Sequence, residues 1–450
     1  MTHWLIQGFE NHAEQIAIVD KKGAYSYQDL QQQVSDYCAS LQDQLDSGCV
    51  VVILSDYSFY SIALLLACIE LNTIVVPIVS TNEQEDNNKI NVCGAHVIIK
   101  LNNSALSIKA LVRSEYSGEQ LYQSIRDKQH SGLVLFSSGS TGKPKAMLHD
   151  LSVLLDSYQH KRAKKITIMI FLLFDHIGGI NTLFNCLSMG AKAVLPAPRT
   201  ADAIAKLIEQ EQVNILPASP TFLNSLLLSD VLSRYDLSSL RMITYGTETM
   251  PESLLQRVKA AFPRVKLLQT FGTSETGIAQ VTSRSSSSLD IKIDDPNTDY
   301  KIIDGELWLK SQTQIVGYLN ASMGRFSNDG WFCTGDLVEQ SDDGYLKIIG
   351  RAKEVINVGG EKVLPIEVES FLLTIKGVDD CVVYAKTNAI TGQAVAVDIV
   401  SDKSVDKKLL KQRIRKQCFT HLSRFKIPTK IHFVERLCVG KRFKKMRLHS

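Results

Sequence analysis

The chain has 450 residues, of which 44% are hydrophobic and 22% charged, and its formal net charge at pH 7 is only +3. This balance excludes a disordered chain and argues against a dedicated nucleic-acid-binding protein, which would carry a large positive charge. At this length we expect two or three structural units rather than a single core.

Targeting features and cysteine usage together predict a cytoplasmic protein without a membrane span. Residues 1–6 lack the features of a secretion signal, and the longest apolar stretches, 62–69 and 168–174, are too short to cross a bilayer. The nine cysteines are scattered and include no Cys-x-x-Cys pair. This usage indicates a reducing compartment and argues against a disulfide framework or a zinc site.

Helical and strand-like patterns alternate in the first part of the chain. The apolar spacing predicts helices at 27–41 and 61–70 and strands at 49–54, 73–79 and 133–136. The polar segments 82–88 and 102–117 and the serine-rich segment 283–288 are predicted as loops. Strands that alternate with helices imply an α/β fold with mostly parallel sheets covered by helices.

The composition changes after Gly350, where a second and smaller α+β domain is predicted. A hairpin strand at 344–349 precedes the change. After it we expect a helix at 361–373 with Pro365 in its first turn, strands at 381–385 and 394–400, and a basic helix at 407–421.

Positive charge is concentrated at the end of the chain. Residues 407–450 contain fifteen Lys and Arg and a single acidic residue, Glu435. This segment is either a solvated surface or a binding surface for a phosphorylated or acidic partner. Aromatic residues do not interleave with the basic ones as in a base-stacking module, so nucleic acid is not expected as a partner.

A glycine- and hydroxyl-rich run directly follows the strand predicted at 133–136. Glycines let the backbone approach phosphate oxygens, hydroxyl and amide groups donate hydrogen bonds to them, and lysine neutralises their charge. A Walker A loop is the obvious alternative, but it requires glycine where Ser137 stands and Ser or Thr where Pro144 stands. The run therefore predicts a phosphate-binding loop of another kind. Its residues are Ser137, Ser138, Gly139, Ser140, Thr141, Gly142, Lys143, Pro144 and Lys145.

This run resembles the phosphate loop of the adenylate-forming superfamily, which includes acyl-CoA synthetases, adenylation domains of nonribosomal peptide synthetases and luciferases. Further segments resemble the other motifs of that superfamily in the same order; they are 172–179, 244–251, 271–275, 334–336, 350–354 and 358–365. The resemblance covers nearly the whole chain. It implies a large N-terminal domain for ATP and acid at 1–350, a hinge at 351–353 and a small mobile C-terminal lid domain at 354–450.

The resemblance implies a role for individual side chains. Glu275 would bind the Mg²⁺ that bridges the ATP phosphates, and Phe271 would offer a flat face to the adenine. Asp336 would accept hydrogen bonds from the ribose hydroxyls, and Arg351 would reach the same sugar or the α-phosphate. Further nucleotide contacts are implied for Gly246, Thr247, Gly272, Thr273 and Ser274. The other implied positions are His176 in catalysis, Asp175, Gly178 and Tyr245 in the acid pocket, Lys353 as the hinge, and Gly359 and Gly360 on the thiol side.

The catalytic lysine of the superfamily lies near the chain end in a Pro-x-x-x-x-Gly-Lys-x-x-Arg pattern. The family spacing places Lys444 at this position and Arg447 at the closing arginine, with Cys438 in place of proline and Phe443 in place of glycine. The lysine would stabilise charge that develops between the carboxylate and the α-phosphate. The register that uses Lys441 instead remains open.

The resemblance implies an ATP-dependent acid–thiol ligase. A carboxylic acid would attack the α-phosphorus of MgATP to give an acyl-AMP and pyrophosphate, and the acyl group would then pass to coenzyme A or to the phosphopantetheine of an acidic carrier protein. An acyl or aryl acid is favoured, because residues 176–179 resemble acyl-activating members. An amino-acid-activating enzyme, in which Asp175 pairs the substrate ammonium, is the first alternative. A non-catalytic binding protein on the same fold is the second.

Overall fold

The computed structural model describes residues 3–80, 82–112, 116, 118–137, 144–402, 404–440 and 442–447. The α-helices are α1 (Trp4–Gln7), α2 (Tyr27–Leu41), α3 (Phe59–Glu70), α4 (Glu83–Val92), α5 (Glu119–Arg126), α6 (Leu151–Asp156), α7 (Ile177–Ser188), α8 (Ala201–Glu211), α9 (Pro220–Leu228), α10 (Val231–Arg234), α11 (Glu252–Ala261), α12 (Pro365–Leu372) and α13 (Lys407–His421). Short 3₁₀ helices lie at Gly8–His12, Ala352–Glu354 and Arg424–Lys426.

The strands, in chain order, are β1 (Ile16–Asp20), β2 (Gly23–Ser26), β3 (Val50–Leu54), β4 (Ile74–Ile78), β5 (Val97–Asn102), β6 (Ala105–Ala110), β7 (Gly132–Ser137), β8 (Lys145–Asp150), β9 (Thr167–Met169), β10 (Lys192–Val194), β11 (Ile215–Ala218), β12 (Met242–Tyr245), β13 (Lys266–Gln269), β14 (Phe271–Thr273), β15 (Gly277–Ala279), β16 (Val281–Ser283), β17 (Asp290–Ile293), β18 (Thr298–Ile303), β19 (Glu306–Ser311), β20 (Gly317–Tyr318), β21 (Phe332–Gln340), β22 (Leu346–Arg351), β23 (Ile356–Val358), β24 (Glu361–Val363), β25 (Asp380–Asn388), β26 (Gly392–Val400) and β27 (Lys430–Phe433).

Two large sheets form the N-terminal part together with a third, antiparallel sheet. Sheet I has the order β13-β12-β11-β9-β10-β1-β2 and is parallel except for β2. Sheet II has the order β20-β8-β7-β4-β3-β5-β6, with a parallel centre from β7 to β5. Sheet III is antiparallel, with the order β16-β17-β22-β21-β19-β18. The predicted α/β fold with mostly parallel sheets is confirmed.

Helix α3 lies in the core that sheets I and II share. Its residues 61–69 are at most 2% exposed, and residues 62–69 belong to one apolar cluster with Ile18 of sheet I and Val51 of sheet II. A helix that is apolar on all sides needs neighbours on all sides, and a position between two layers provides them. The two sheets are therefore joined by a continuous core.

The C-terminal part has its own sheet and its own core. Sheet IV has the order β24-β23-β26-β25, with β27 parallel to β26, and an apolar cluster beneath it includes Val368 of α12 and Ile414 of α13. This architecture confirms the predicted second α+β unit. The predicted boundaries, with a hinge at 351–353 between the two domains, stay a prediction. Among the described residues, no helix is both long and apolar enough to cross a membrane.

Three element predictions were wrong. Segment 82–88 belongs to helix α4, because the Asn82 side chain accepts a hydrogen bond from the Glu85 amide and acidic residues fill the first turn. Much of segment 102–117 is β6, an edge strand antiparallel to β5. The helix expected from residue 361 begins at Pro365, since 361–363 form β24. Helices α2 and α13, by contrast, have the predicted bounds.

Candidate functional site

A cavity of about 590 Å³ opens where the carboxyl ends of the sheet I strands meet sheet III and the chain end. Ligands of open α/β sheets bind at this edge, because the strand-end loops diverge there. The predicted site residues that line the cavity are Ser137, Lys145, His176, Gly178, Gly246, Thr247, Phe271, Gly272, Thr273, Ser274, Glu275, Asp336, Arg351, Lys353 and Lys444. The predicted loop residues Ser138, Gly139, Ser140, Thr141 and Gly142 lie outside the described residues.

Two residues predicted in the acid pocket do not line the cavity. Alternate side chains of a strand point to opposite faces. In β12, Met242 and Thr244 face the cavity, so Tyr245 faces the core, where it is 1% exposed. The Asp175 side chain is 7% exposed, and its Oδ1 has no hydrogen-bond partner among the described groups. The structure thus places both residues outside the cavity wall, and their role in the acid pocket stays a prediction.

Gly359 and Gly360 form the turn between β23 and β24 and also do not line the cavity. Their φ angles of 61° and 95° are in the left-handed region, which glycine adopts without steric cost. Their role on the thiol side stays a prediction. Lys353 lies in the 3₁₀ turn between β22 and β23, and its role as a hinge also stays a prediction.

Two glycines bring the strand-end loops together where nucleotide contacts are predicted. A Cβ atom on Gly246 would lie 2.4 Å from Thr270 Oγ1, and one on Gly272 would lie 2.4 Å from the Gly277 carbonyl oxygen. Only glycine allows so close an approach. With Phe271 between them, these loops form one continuous wall, as a planar base would require.

Asp336 and Arg351 are paired across neighbouring strands. The register of β21 and β22 sets the two residues opposite each other, and Arg351 Nε lies 2.9 Å from Asp336 Oδ1. Burial raises the pKa of the Asp336 carboxyl, and Arg351 acts in the opposite direction. The Asp336 amide also donates to Thr334 Oγ1. A buried carboxylate, paired with Arg351, therefore lines the cavity.

We expect Asp336→Ala to raise the KM for ATP. Loss of a desolvated carboxylate–hydroxyl pair costs roughly 1.5–3 kcal/mol, which corresponds to roughly a 10- to 150-fold change in KM. Initial rates at varied ATP concentration measure the effect, and Asp336→Asn, which keeps one acceptor oxygen, should have an intermediate KM. An unchanged KM in the alanine variant would show that this carboxylate does not bind the nucleotide.

Glu275 is held by a tyrosine that the sequence analysis did not identify. The Tyr318 hydroxyl donates to Glu275 Oε1 at 2.9 Å, and the Lys145 ammonium lies over the Tyr318 ring, 5.1 Å from its centroid. Burial and then Glu275 raise the pKa of Tyr318, so the phenol stays protonated and donates. Among the described residues, no cluster of three or more metal-binding side chains occurs. A single carboxylate fits Mg²⁺ that is bound jointly with ATP phosphates.

Lys444 reaches the cavity from the chain end. Burial, followed by the nearby Arg351 and Arg442, lowers the pKa of its ammonium to about 8, while Glu248 and Asp336 act in the opposite direction. Lys441 lies outside the described residues, and the choice of Lys444 over Lys441 stays a prediction. Arg442, Glu248 and Tyr318 are cavity or supporting residues that the sequence analysis missed.

His176 caps helix α7 beside Lys444. Its Nδ1 accepts a hydrogen bond from the Gly178 amide at 3.0 Å, so the ring proton is on Nε2. Burial, and then the charges of Arg442 and Lys444, lower the pKa of His176 well below its usual value. The neutral ring is therefore a hydrogen-bond donor to the cavity at neutral pH.

The cavity continues along one face of α7. Gly178, Asn181, Thr182 and Asn185 line it at the i, i+3, i+4 and i+7 spacing of a single helix face. The opposite wall is largely apolar and includes Ile168, Ile215, Met242 and Leu268. The far end is formed by Met189 and by the exposed Lys161 and Lys164. From Gly178 to Asn185 the helix advances about 10 Å, at 1.5 Å per residue.

Comparison with known proteins assigns this architecture to a family. Residues 7–319 match the AMP-binding enzyme family, and residues 367–441 match the C-terminal domain of AMP-binding enzymes. The chain is 27% identical over 396 residues to 4-coumarate–CoA ligase-like 9 of Arabidopsis thaliana, which covers 77% of this chain and 70% of that protein. It is 30% identical over 330 residues to indoleacetate–CoA ligase of Aromatoleum aromaticum, covering 68% of this chain and 64% of that protein.

A solved structure shares the fold over almost the full chain. The anthranilate CoA ligase AuaEII in complex with anthranoyl-AMP superposes with a TM-score of 0.83 at 20% identity and covers 98% of this chain and 94% of its own. The predicted membership of the adenylate-forming superfamily and the predicted acid–thiol ligase activity are confirmed by the family and its relatives. The chain belongs to the family of AMP-binding enzymes, and it is an adenylate-forming ligase that joins a carboxylic acid to a thiol through an acyl-adenylate.

Proposed function

We propose that this enzyme is a CoA ligase for an aromatic carboxylic acid with a polar substituent at the end remote from the reacting carboxyl group. The observation that carries the proposal is the continuity of the cavity, from the nucleotide residues Asp336 and Glu275 past His176 to the face of α7. An acid in this cavity would place its carboxyl group beside the nucleotide. Both curated relatives described above are named for aromatic acids, which supports the substrate class.

The walls of the acid pocket favour a flat substrate with polar groups along one edge. The strand wall offers Ile168, Ile215 and Met242 to an apolar ring face, while Asn181 and Asn185 on α7 offer amide groups. Such a pocket excludes water from the ring and fixes its orientation through a few hydrogen bonds. A saturated fatty chain would leave these amides without partners, which costs binding energy.

Lys161 and Lys164 make the far end of the pocket positive. An acidic or strongly polar substituent at that end of the substrate would be attracted to them, while an ammonium group would be repelled. The amino-acid alternative relied on Asp175 as the partner of the substrate ammonium. It loses this support, because Asp175 does not line the cavity. Activation of an amino acid would require a different partner for its ammonium group.

Residues around the reacting carboxyl group can provide the charge stabilisation that adenylation needs. Lys444 would donate to the oxygens of the carboxylate and the α-phosphate, where negative charge concentrates during attack. His176 Nε2 would orient the carboxylate by a second hydrogen bond, and the N-terminus of α7 adds a partial positive charge. Mg²⁺, bound through Glu275 and the phosphates, would neutralise charge on the leaving pyrophosphate. These roles position and polarise the reactants without covalent catalysis.

Coenzyme A is the proposed acceptor, because the curated relatives are CoA ligases. The basic segment after residue 407 suits the phosphates of the coenzyme A nucleotide. An acidic carrier protein, the other acceptor predicted from the sequence, would be attracted by the same charges. Competition between coenzyme A and a phosphopantetheinylated carrier protein in one reaction distinguishes the two acceptors.

A panel of acids tests the proposed function. Each acid is incubated with enzyme, ATP, Mg²⁺ and hydroxylamine, and hydroxamate formation reports the acyl-adenylate. We expect ring acids with a distal hydroxyl, amide or carboxylate group to react best, and unbranched fatty acids and amino acids to react poorly. A preference for fatty or amino acids would contradict the proposed substrate class. Addition of coenzyme A in place of hydroxylamine should give the acyl-CoA of the preferred acid.

Lys164→Ala should reduce the selectivity for a distal acidic group. For an acid with a distal carboxylate, kcat/KM of the variant is expected to fall roughly 5- to 30-fold, which corresponds to roughly 1–2 kcal/mol for a partly exposed charge-assisted hydrogen bond. For the matched acid without that carboxylate, kcat/KM should change little. Lys165→Ala is the control, since Lys165 is adjacent and exposed but does not line the cavity. Equal effects of the two substitutions, or equal effects on both acids, would contradict a role of Lys164 in specificity.

A further inference from the structure

The residues that precede Lys444 are docked onto the N-terminal part at two points. Arg442 Nη2 donates to the Phe136 carbonyl oxygen at 2.7 Å, and a longer hydrogen bond of 3.5 Å reaches the Asp175 carbonyl oxygen. The Phe443 ring packs against Phe171 and Phe222, at centroid distances of 4.8 and 6.1 Å. Both of these phenylalanines are core residues of the N-terminal part.

The side chains that follow Lys444 are anchored to the C-terminal part, while the Lys445 amide donates to Glu248 Oε2 of the N-terminal part at 3.3 Å. Lys445 Nζ lies 2.5 Å from Asp380 Oδ1, and Arg447 pairs with the buried Glu369. Lys444 thus lies between residues that contact both parts of the molecule. Contacts on both sides of Lys444 hold its ammonium at the cavity.

Phe443 occupies a backbone conformation that is unfavourable for its residue type. Its φ is 53°, in the left-handed region, where bulky residues are rare because Cβ crowds the neighbouring carbonyl. The motif that the sequence resembles has glycine here, which tolerates this conformation. Such strain persists only where the surroundings over-determine it. The aromatic contacts with Phe171 and Phe222 are the interactions that offset it.

We propose that Arg442 and Phe443 form a latch that holds Lys444 in the cavity during adenylate formation and opens before thiol transfer. The proposal rests on the proposed two-step function. In the arrangement described, the turn at Gly359 and Gly360, whose role on the thiol side is a prediction, does not line the cavity, and release of the latch would free the C-terminal part to move between the two steps. Phe443 and Arg442 are positioning residues, and Lys444 is the group that they position.

The latch predicts opposite effects on the two half-reactions. In Phe443→Ala the ring contacts are lost while the backbone strain remains, so the closed arrangement is less populated. We expect at least a tenfold slower single-turnover release of pyrophosphate. Conversion of a chemically supplied acyl-adenylate with coenzyme A should be unchanged or faster, because that step begins from the open arrangement. A residue with a merely structural role would slow both steps alike.

Three further variants make the test specific. Phe443→Tyr keeps the ring and should retain adenylation, and Arg442→Gln, which loses the bond to the Phe136 carbonyl, should show the same split as Phe443→Ala. Val112→Ala is the control, because Val112 is 99% exposed, does not line the cavity and lies outside the basic segment, so it should affect neither step. Thermal unfolding of every variant monitors the fold.

The outcomes separate this proposal from the proposed function. Wild-type enzyme that fails in both half-reactions with every acid would overturn the function and the latch with it. Suppose that the wild-type enzyme performs both steps. If Phe443→Ala and Arg442→Gln then slow neither step, or slow both steps equally, the latch alone is overturned. A loss confined to adenylation in both variants supports it.

Discussion

Lys444→Ala should lower the rate of acyl-adenylate formation by roughly 10²- to 10³-fold, the usual cost of removing one preorganised charge-stabilising donor. Its ammonium has a partner only while the carboxylate attacks phosphorus, so only the first half-reaction depends on it. The variant should therefore still convert a supplied acyl-adenylate to the thioester. Acid-dependent pyrophosphate release and acyl-CoA formation, measured separately, show the split.

Two controls identify the lysine and its charge. Lys441→Ala should have a mild effect; a severe effect there, together with a mild one in Lys444→Ala, would mean that the register is wrong although the mechanism stands. Because the pKa of Lys444 is lowered to about 8, kcat/KM for adenylation should fall as pH rises above 8, where the ammonium loses its proton. In Lys444→Arg the alkaline decline should disappear, since a guanidinium stays charged at this pH.

Glu275→Gln should reduce adenylate formation by roughly a hundredfold or more, because bound metal contributes several kcal/mol of transition-state stabilisation. The amide is nearly isosteric with the carboxylate, and its oxygen can still accept the hydrogen bond from Tyr318, so the fold should be preserved. Pyrophosphate release as a function of Mg²⁺ concentration is the measurement, and the variant should need far more Mg²⁺.

Tyr318→Phe is the matched control for Glu275. It removes the hydroxyl that orients Glu275 but leaves the carboxylate, so a smaller loss is expected, with recovery at high Mg²⁺. If Glu275→Gln released pyrophosphate at the wild-type rate, the predicted role of Glu275 in binding Mg²⁺ would be wrong.

Much of the fold follows from short-range sequence patterns. The spacing of apolar residues predicts α2 and α13 to the residue, and the apolar run at 133–136 predicts the centre of β7. Helix α4 was missed because its sequence is mostly polar, and its stability depends on the Asn82 cap and on burial of Ile90 against the sheet. Strand β6 was missed because its strand conformation depends on antiparallel pairing with β5.

Site residues could be predicted from the sequence where they belong to a local motif. They could not be predicted where tertiary packing determines which side chains meet. The residues predicted to bind the nucleotide each belong to a short continuous motif, so the sequence identifies them, and the fold brings the described ones to one cavity. Tyr245 lies in the core rather than in the cavity wall, and the alternation of β12 carries the signal for that position. Tyr318 and Arg442 lack a local signature, because each acts through a contact distant in sequence, with Glu275 and with Phe136.

Transfer of oxygen from the acid to AMP tests the central claim most directly. The preferred acid, labelled with ¹⁸O in both carboxyl oxygens, is converted with ATP, Mg²⁺ and coenzyme A, and the products are analysed by mass spectrometry. Attack of the carboxylate on the α-phosphorus predicts one ¹⁸O atom in AMP and none in pyrophosphate. Unlabelled AMP, or label in inorganic phosphate formed together with ADP, would contradict an acyl-adenylate and with it the assigned chemistry of this site.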